Sequence, residues 1–455
     1  MDSSRYVLVV ADTSLLLGDS AEYRELTSYG ALKKEAYTAL AEKMLLKLGC
    51  SEEETAQKID DLNVIELKAI DAPTQVDALK VDPYGQPVSG AKLVLVDASG
   101  KTVDEWTSDE MPHTIYKLPV GGTFTLRETA APDGYLLAEP VTFTVQETTE
   151  IQTVTMENEK IPTIGTTATT DGLHVAQPKG EVEIVDTVHY ADVVPGRTYT
   201  LSGVLMDKAT GEPCVDADGS QFTASVTFTP EAAEGDVEVR FHVDAALLEG
   251  KTTVCFEHLS KNGKQIAVHA DITDEGQSVY WPEIHTTATA DGEHVIKAEG
   301  EVTLTDVMQY TNLLPGMDYV VTGTLVDKIT GEAVTDENGV ELTAEQQFTP
   351  ESAEGSIEVT FQIPDASILL GKVVVAFETV SYLDRELAIH ADLSDEDQTV
   401  YFPGIGTTAT VDGEHEAYAG GTIMLVDTVE YKGLQPGKTY TVKGILMNKA
   451  TGEPF

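Results

Sequence analysis

Polar side chains stand at core-facing positions in two similar stretches of the sequence. Because residues two apart along a β-strand point to the same face, Asp186 shares a face with Ile184 and Val188, and Glu257 shares one with Leu259. Each stretch also has a Thr on its first predicted strand, and a His and a Gln near its end. The first set is Thr166, Asp186, Glu257, His269 and Gln277; the second is Thr286, Asp306, Glu378, His390 and Gln398.

These residue types together support three interpretations. An unpartnered buried polar group costs about 1–3 kcal/mol, so the five side chains of each set are expected to cluster. The cluster could be a buried hydrogen-bond network, or a metal site of His, Asp and Glu, although no tightly spaced ligand motif is present. It could also carry a reaction in which an activated Thr hydroxyl attacks the Gln carboxamide, expels ammonia and leaves an ester. A dry environment would keep one carboxyl protonated, so that it could hydrogen-bond the carbonyl under attack.

A second kind of polar cluster is predicted in the β-rich stretch 76–160. Lys80, Glu128 and Asn158 each fall in phase with apolar residues two and four positions earlier, so all three are expected to point inward. One interpretation is a buried Lys–Glu ion pair beside a hydrogen-bonded Asn.

The elements that must position these side chains are short strands arranged in repeats. The segment 162–281 recurs as 282–402, and a third copy opens at Pro403 and continues to Phe455. Each repeat is too long for a solenoid unit and suits a self-sufficient domain. Alternating polarity in Val- and Thr-rich stretches, interrupted by frequent turn signals, predicts antiparallel β-sandwiches.

The sequence therefore predicts a mainly β chain with tandem sandwich domains. We expect a separate domain at 63–160, repeats at 161–281 and 282–402, and a partial repeat at 403–455. Residues 31–49 have helical spacing and a terminal Gly, which predicts one amphipathic helix. The rest of residues 1–62 receives no assignment.

Composition excludes several classes of function. Acidic residues outnumber basic ones by 77 to 29, and the net charge of −48 argues against nucleic-acid binding. The three cysteines, Cys50, Cys214 and Cys255, lack disulfide-framework or metal-ligand spacing. No apolar run approaches the ~18 residues of a membrane helix. We expect no cofactor and no resident metal, and an export signal, if one is used, outside this chain.

The second repeat contains ValAlaPheGlu at 375–378, and the first contains an altered form, ValCysPheGlu, at 254–257. With this motif the repeats resemble the VaFE repeat of bacterial surface-anchored proteins. They are also similar to the ester-bond-crosslinked, immunoglobulin-like domains of Gram-positive adhesins, in which a first-strand Thr joins a last-strand Gln.

That resemblance implies an ester in each complete repeat. It implies a Thr166–Gln277 bond assisted by Asp186, Glu257 and His269, and a Thr286–Gln398 bond assisted by Asp306, Glu378 and His390. The third copy has only Thr407 and Asp427 of this set, so we expect no closed bond there and regard the chain as a piece of a longer protein.

The stretch before the repeats contains three further motifs, AlaLeuLysValAsp (78–82), LeuArgGluThrAlaAlaProAspGlyTyr (126–135) and MetGluAsnGluLys (156–160). Through them it resembles the Cna B-type, or SpaA-like, pilin domain, which implies a prealbumin-like sandwich fold. It implies an isopeptide between Lys80 and Asn158, with the buried Glu128 as the catalytic proton shuttle. Burial favours the neutral amine, which is the nucleophilic form.

Both resemblances imply a structural stalk or adhesin shaft outside a Gram-positive cell. Attachment to peptidoglycan would then use a region outside this chain, and host surface proteins or carbohydrates are the expected partners. The alternative is a ligand-binding module that recognises such partners through its sandwich loops. An enzyme acting on external substrates is not expected, because the polar clusters face cores and any cross-linking reaction turns over once.

Overall fold

The computed structural model describes residues 49–60, 73–148 and 150–455, together with residues 39, 42, 43 and 45–47. Within the predicted helix 31–49, the described residues up to 47 are helical and Gly49 lies in a turn; the others lie outside the described residues. A further helix, α1 (Glu52–Asp60), was not predicted. It begins with a capping box, because the Ser51 N–H donates to Glu54 Oε2 (3.0 Å) and the Glu54 N–H donates to Ser51 Oγ (3.2 Å).

The chain divides into two compact units, residues 1–160 and 161–455. Its architecture is mainly β, as predicted, and among the described residues no helix is both long and apolar enough to cross a membrane.

The first unit contains a sandwich of two sheets. One sheet has the order β4-β1-β7 and the other β3-β2-β5-β6. The strands are β1 (Gln75–Val81), β2 (Lys92–Asp97), β3 (Thr102–Thr107), β4 (His113–Tyr116), β5 (Thr123–Ala130), β6 (Val141–Thr144) and β7 (Gln152–Glu157). First and last strands are parallel neighbours with Lys80 opposite Met156. The two ends of the domain therefore lie side by side in one sheet.

The first repeat is a sandwich of a three-stranded and a five-stranded sheet. The orders are β12-β9-β8 and β11-β10-β13-β14, with β15 also paired to β13. The strands are β8 (Thr163–Thr169), β9 (Glu181–Ala191), β10 (Tyr199–Asp207), β11 (Thr223–Phe228), β12 (Gly235–Asp244), β13 (Thr252–Lys261), β14 (Lys264–His269) and β15 (Ser278–Tyr280). Single turns of 3-10 helix lie at Ala245–Leu248 and Glu275–Gln277. Trp281, Tyr199 and Phe241 fill the core between the sheets.

The second repeat has the same topology. Its sheets are β16-β17-β20 and β19-β18-β21-β22, with β23 on β21. The strands are β16 (Glu283–Ala290), β17 (Val302–Thr311), β18 (Tyr319–Asp327), β19 (Thr343–Phe348), β20 (Gly355–Ile363), β21 (Val373–Tyr382), β22 (Arg385–His390) and β23 (Thr399–Tyr401), and Ala366–Leu369 forms a 3-10 turn.

The third copy differs from the complete ones. Residues 403–455 form only a two-stranded sheet of β24 (Gly404–Thr410) and β25 (Val426–Lys432). The strand pattern placed Asp427 on the same face as Leu425, as in the other copies, but both are exposed. The physical reason is that residues 403–455 provide no second sheet to cover that face.

A glycine in each complete repeat allows the two sheets to approach. A Cβ added to Gly203 on β10 would lie 2.5 Å from Phe241 Cζ, and one added to Gly323 would lie 2.6 Å from Phe361 Cζ. Such separations are not tolerated between real atoms, so a larger residue must displace the aromatic ring.

We expect Gly203→Ala to destabilise the first repeat by roughly 1–3 kcal/mol through overpacking, measured as a lower melting temperature of that repeat by calorimetry. Gly165→Ala is the matched control, because nothing lies within 4 Å of its Cβ and the second repeat has His285 at this position. Equal effects of the two substitutions would contradict the packing explanation.

Candidate functional site

The predicted ester site of the first repeat lies between its two sheets. Thr166 lies on β8 and Asp186 on the adjacent β9, where Asp186 pairs with Ala168. Glu257 lies on β13 in the facing sheet, opposite His269 on β14. Gln277 ends the 3-10 turn that leads into β15, so it precedes the last strand instead of lying on it. Asp186, Glu257 and Gln277 are fully buried.

Three of these side chains are in direct contact. The Gln277 Nε2 group donates a hydrogen bond to Thr166 Oγ1 and another to Glu257 Oε2 (2.8 Å). The Thr166 hydroxyl also donates to Glu257 Oε2 (3.5 Å). One carboxyl oxygen therefore touches both the hydroxyl and the amide nitrogen.

The second repeat reproduces this geometry. Gln398 Nε2 donates to Thr286 Oγ1 and to Glu378 Oε2 (2.8 Å), and the Thr286 hydroxyl donates to the same oxygen at 3.3 Å. Asp306, Glu378 and Gln398 are fully buried, like their counterparts.

The buried carboxyl pair holds a proton. Burial and the adjacent Asp186 carboxyl together raise the pKa of Glu257 to about 11, which favours its neutral form. Burial also raises the pKa of Asp186, against the opposing effects of Glu257 and Thr166. Glu257 Oε1 and both Asp186 oxygens have no hydrogen-bond partner among the described residues. A proton shared between Glu257 Oε1 and one Asp186 oxygen would give two of these three oxygens a partner.

The equivalent pair in the second repeat has the same property. Burial and Asp306 raise the pKa of Glu378 to about 11. The two sites therefore hold Glu in its neutral form at physiological pH.

The histidines are held by an aspartate that the sequence analysis did not select. His269 Nε2 lies 3.0 Å from Asp274 Oδ2, and the Gly276 N–H donates to Asp274 Oδ1 (2.8 Å). Asp274 thus fixes the imidazole and caps the 3-10 turn that carries Gln277. The imidazole bonds Asp274, and the structure places no hydrogen bond between it and Thr166.

His390 and Asp395 repeat this contact at 3.0 Å. The available signal was the Asp five positions after each His, present in both copies.

A lysine stabilises the 3-10 turn Glu275–Gln277 through hydrogen bonds from the solvent side. Lys208 Nζ donates to Glu275 Oε1 (2.6 Å) and to Ser278 Oγ (3.1 Å), and the Tyr280 hydroxyl donates to Glu275 Oε2 (2.5 Å). The second repeat has the corresponding bonds. Lys328 Nζ donates to Glu396 Oε1 (2.6 Å) and to Thr399 Oγ1 (3.0 Å), and the Tyr401 hydroxyl donates to Glu396 Oε2 (2.6 Å).

A metal interpretation has one candidate group among the described residues. Ligand atoms of Asp186, Cys255 and Glu257 lie within 4.8 Å of one another. Burial raises the pKa of the Cys255 thiol, which disfavours the thiolate that metals bind. Ala376 stands at the position of Cys255 in the second repeat, so that site has no thiol. The two sites share the contacts among Thr, Gln and Glu, and they do not share the thiol that the metal interpretation would use.

The first unit brings its predicted triad together in the same way. Lys80 Nζ lies 3.6 Å from Glu128 Oε1, and both side chains are almost fully buried. Asn158, one residue beyond β7, donates from Nδ2 to Glu128 Oε2 (3.0 Å) and to the Leu136 carbonyl oxygen (2.6 Å). The Ala138 N–H holds Glu128 Oε2 in place at 2.6 Å. A single carboxyl group again lies between a nucleophile and a carboxamide.

Burial also prepares the nucleophile. It lowers the pKa of Lys80 from 10.5 to about 8, although Glu128 opposes the change. A substantial fraction of this amine is therefore neutral at mildly alkaline pH.

The third copy does not assemble a site. Thr407 on β24 pairs with Val429, and Asp427 on β25 pairs with Ala409, but both side chains are exposed.

Fold and sites together define a chain of tandem β-sandwich domains in which a nucleophile and a carboxamide meet beside a carboxyl group. The chain belongs to the family described as the T-Q ester bond containing domain, which matches residues 162–281, 282–402 and 403–454. Residues 74–160 match the SpaA prealbumin-like fold domain. No curated protein sequence matches the chain.

Several solved structures are similar to parts of the chain. An adhesin from Mobiluncus mulieris with disulfide, isopeptide and ester cross-links is 15% identical, with a TM-score of 0.25, over 60% of this chain and 97% of its own. The major pilin BcpA of Bacillus cereus is 16% identical, with a TM-score of 0.24, over 71% of this chain and 93% of its own. The major pilin SpaD of Corynebacterium diphtheriae is 11% identical, with a TM-score of 0.24, over 71% of this chain and 89% of its own.

The Lys80 pKa predicts a pH dependence for a variant that has no carboxamide, Asn158→Ala. Between pH 8 and 10.5 the unfolded chain retains the Lys80 proton and the folded chain does not, so stability should rise with pH through this window. The gain is at most about 3 kcal/mol. Denaturant unfolding across the window measures it.

The control carries Lys80→Met in the same Asn158→Ala background. Its stability should lack this component of the slope. Identical slopes for the two proteins would mean that Lys80 is not held in a dry site.

Proposed function

We propose that this chain forms part of a cell-surface stalk or adhesin shaft whose domains close their own covalent cross-links. The observation that carries the proposal is the paired contact in both complete repeats, where one Glu oxygen bonds the Thr hydroxyl and the Gln amide nitrogen. That oxygen touches the atom that must lose a proton and the atom that must gain one.

The ester reaction follows from this arrangement. Thr166 Oγ1 attacks Cδ of Gln277 while its proton passes to Glu257 Oε2, and the proton shared through Glu257 Oε1 passes to Asp186. The Cδ–Nε2 bond then breaks, and Nε2 takes the proton from Oε2 and leaves as ammonia. Atoms and charge balance without a cofactor, oxidant or metal.

The isopeptide reaction uses the same logic in the first unit. Neutral Lys80 Nζ attacks Cγ of Asn158, and the Cγ–Nδ2 bond breaks. Glu128 accepts the amine proton through the oxygen facing Lys80 and returns a proton to Nδ2, which leaves as ammonia. Each domain reacts once and then remains cross-linked, so the chain is not a turnover enzyme.

The bonds would determine how tension passes through each domain. Thr166 and Gln277 are 111 positions apart and lie near the two ends of the first repeat. Force that enters at β8 and leaves after β15 would pass through the ester, so the strands between need not unfold. Such a stalk suits the outside of a Gram-positive cell, attached to its wall, where an adhesin meets host proteins or carbohydrates.

Single-molecule pulling tests this function. We expect Thr166→Ala to add one unfolding step of roughly 370–400 Å of contour length, because 111 residues at 3.3–3.6 Å each are released. The parent protein should lack a step of this length from the first repeat.

Thr167→Ala is the matched control, because Thr167 is the exposed neighbour on the same strand. It should behave as the parent does. A full-length step in the parent protein would refute the mechanical proposal.

A further inference from the structure

The hairpin β21–β22 of the second repeat contacts a loop of the first repeat, residues 171–177. Gln177 Nε2 donates to Glu386 Oε1 (2.6 Å), and Arg385 Nη1 donates to the Asp171 carbonyl oxygen (3.4 Å). We propose that this contact is a built joint, which makes consecutive repeats one stiff unit and gives each repeat a docking site for the hairpin of the next.

Apolar packing supplies the centre of the joint. Val175 and Tyr280 of the first repeat belong to the same continuous apolar cluster as the core of the second repeat, including Leu387 on β22. Leu173 packs against this cluster. The polar contacts at the edge are exposed and contribute little by themselves, so the apolar centre provides most of the attraction.

Equivalent positions in the two repeats differ as the joint requires. Leu387, inside the joint, is 2% exposed, whereas its counterpart Ile266 in the first repeat is only half-buried. Val175, inside the joint, is 1% exposed, whereas its counterpart Val295 is half-buried. The fold is the same in both repeats, so the difference in burial comes from the docked neighbour.

A second contact lies at another place on the same boundary. The Thr252 hydroxyl donates to Asn312 Oδ1 (2.8 Å), and Asn312 follows β17 with a φ of +55°. Gly433 occupies the equivalent turn in the third copy, also at positive φ, and its Cβ would lie 2.8 Å from the Phe402 carbonyl oxygen. The same turn therefore approaches the preceding repeat at both boundaries.

Two separate contacts restrict both bending and twisting. A single linker between domains would leave them free to reorient, because small polar interfaces permit relative motion by default. Here a hairpin and a turn hold the boundary at two places around an apolar centre. The joint requires none of the proposed covalent bonds, so the two proposals can fail independently.

Distance measurements by pulsed electron paramagnetic resonance test the joint on the full chain. Spin labels go on Glu231→Cys and Glu351→Cys, which are equivalent exposed positions in the two repeats, in a Cys50→Ala background. Cys214 and Cys255 are buried and should remain unlabelled. We expect a narrow distance distribution in the parent.

Leu173→Glu should broaden that distribution at least twofold. The second repeat has Glu293 at the same position, so the substitution is compatible with the fold. Arg385→Glu, which places a second negative charge beside Asp171, should broaden it by a smaller amount. Val215→Glu adds the same charge at a 47% exposed position of the first repeat and should leave it unchanged.

A distribution already as broad in the parent as in Leu173→Glu would overturn the joint, as would an unchanged distribution in both joint variants. Intact mass measured on the same samples reports the covalent bonds separately. Loss of the bonds with a narrow distribution would therefore refute the cross-link and leave the joint standing.

Discussion

A carboxyl group buried in a core must hold a proton, pair with a charge or pull its neighbours into hydrogen bonds, and the sites described in the repeats and in the first unit depend on that constraint. In the repeats the constraint is met by pairing two carboxyls over one proton, which leaves Glu257 neutral beside Thr166 and Gln277. In the first unit it is met by placing Glu128 between an amine and an amide. Water would solvate the charged forms and compete for these hydrogen bonds, so both arrangements require the dry cores that surround them.

The fold supplies the second requirement, which is proximity. In the first unit the first and last strands are parallel neighbours, and this brings Lys80 and Asn158 together from distant parts of the sequence. In the repeats β8 and the turn before β15 serve the same purpose. A bond at such a place closes nearly the whole domain, and the joint between repeats would extend that stiffness along the chain.

Much of this was predictable because alternation along a strand assigns each side chain to a face. Lys80, Asp186 and Glu257 were placed inward on that basis, and the structure buries all three. Asp274 was missed because its importance lies in contacts with His269 and the 3-10 turn, which no periodic pattern reveals. The joint was missed for the same reason, since Val175 and Leu387 look like ordinary apolar residues of their own repeats until the repeats are seen together. The exposed face of the third copy shows the converse limit, because a pattern assigns a face and tertiary structure decides whether it is covered.

The most direct test of the central claim is the intact mass of the purified chain under denaturing, reducing conditions. The account predicts a deficit of three ammonia molecules, and Lys80→Ala, Thr166→Ala and Thr286→Ala should each restore one. A full, unmodified mass would contradict the account and leave the buried clusters as hydrogen-bond networks without a covalent product.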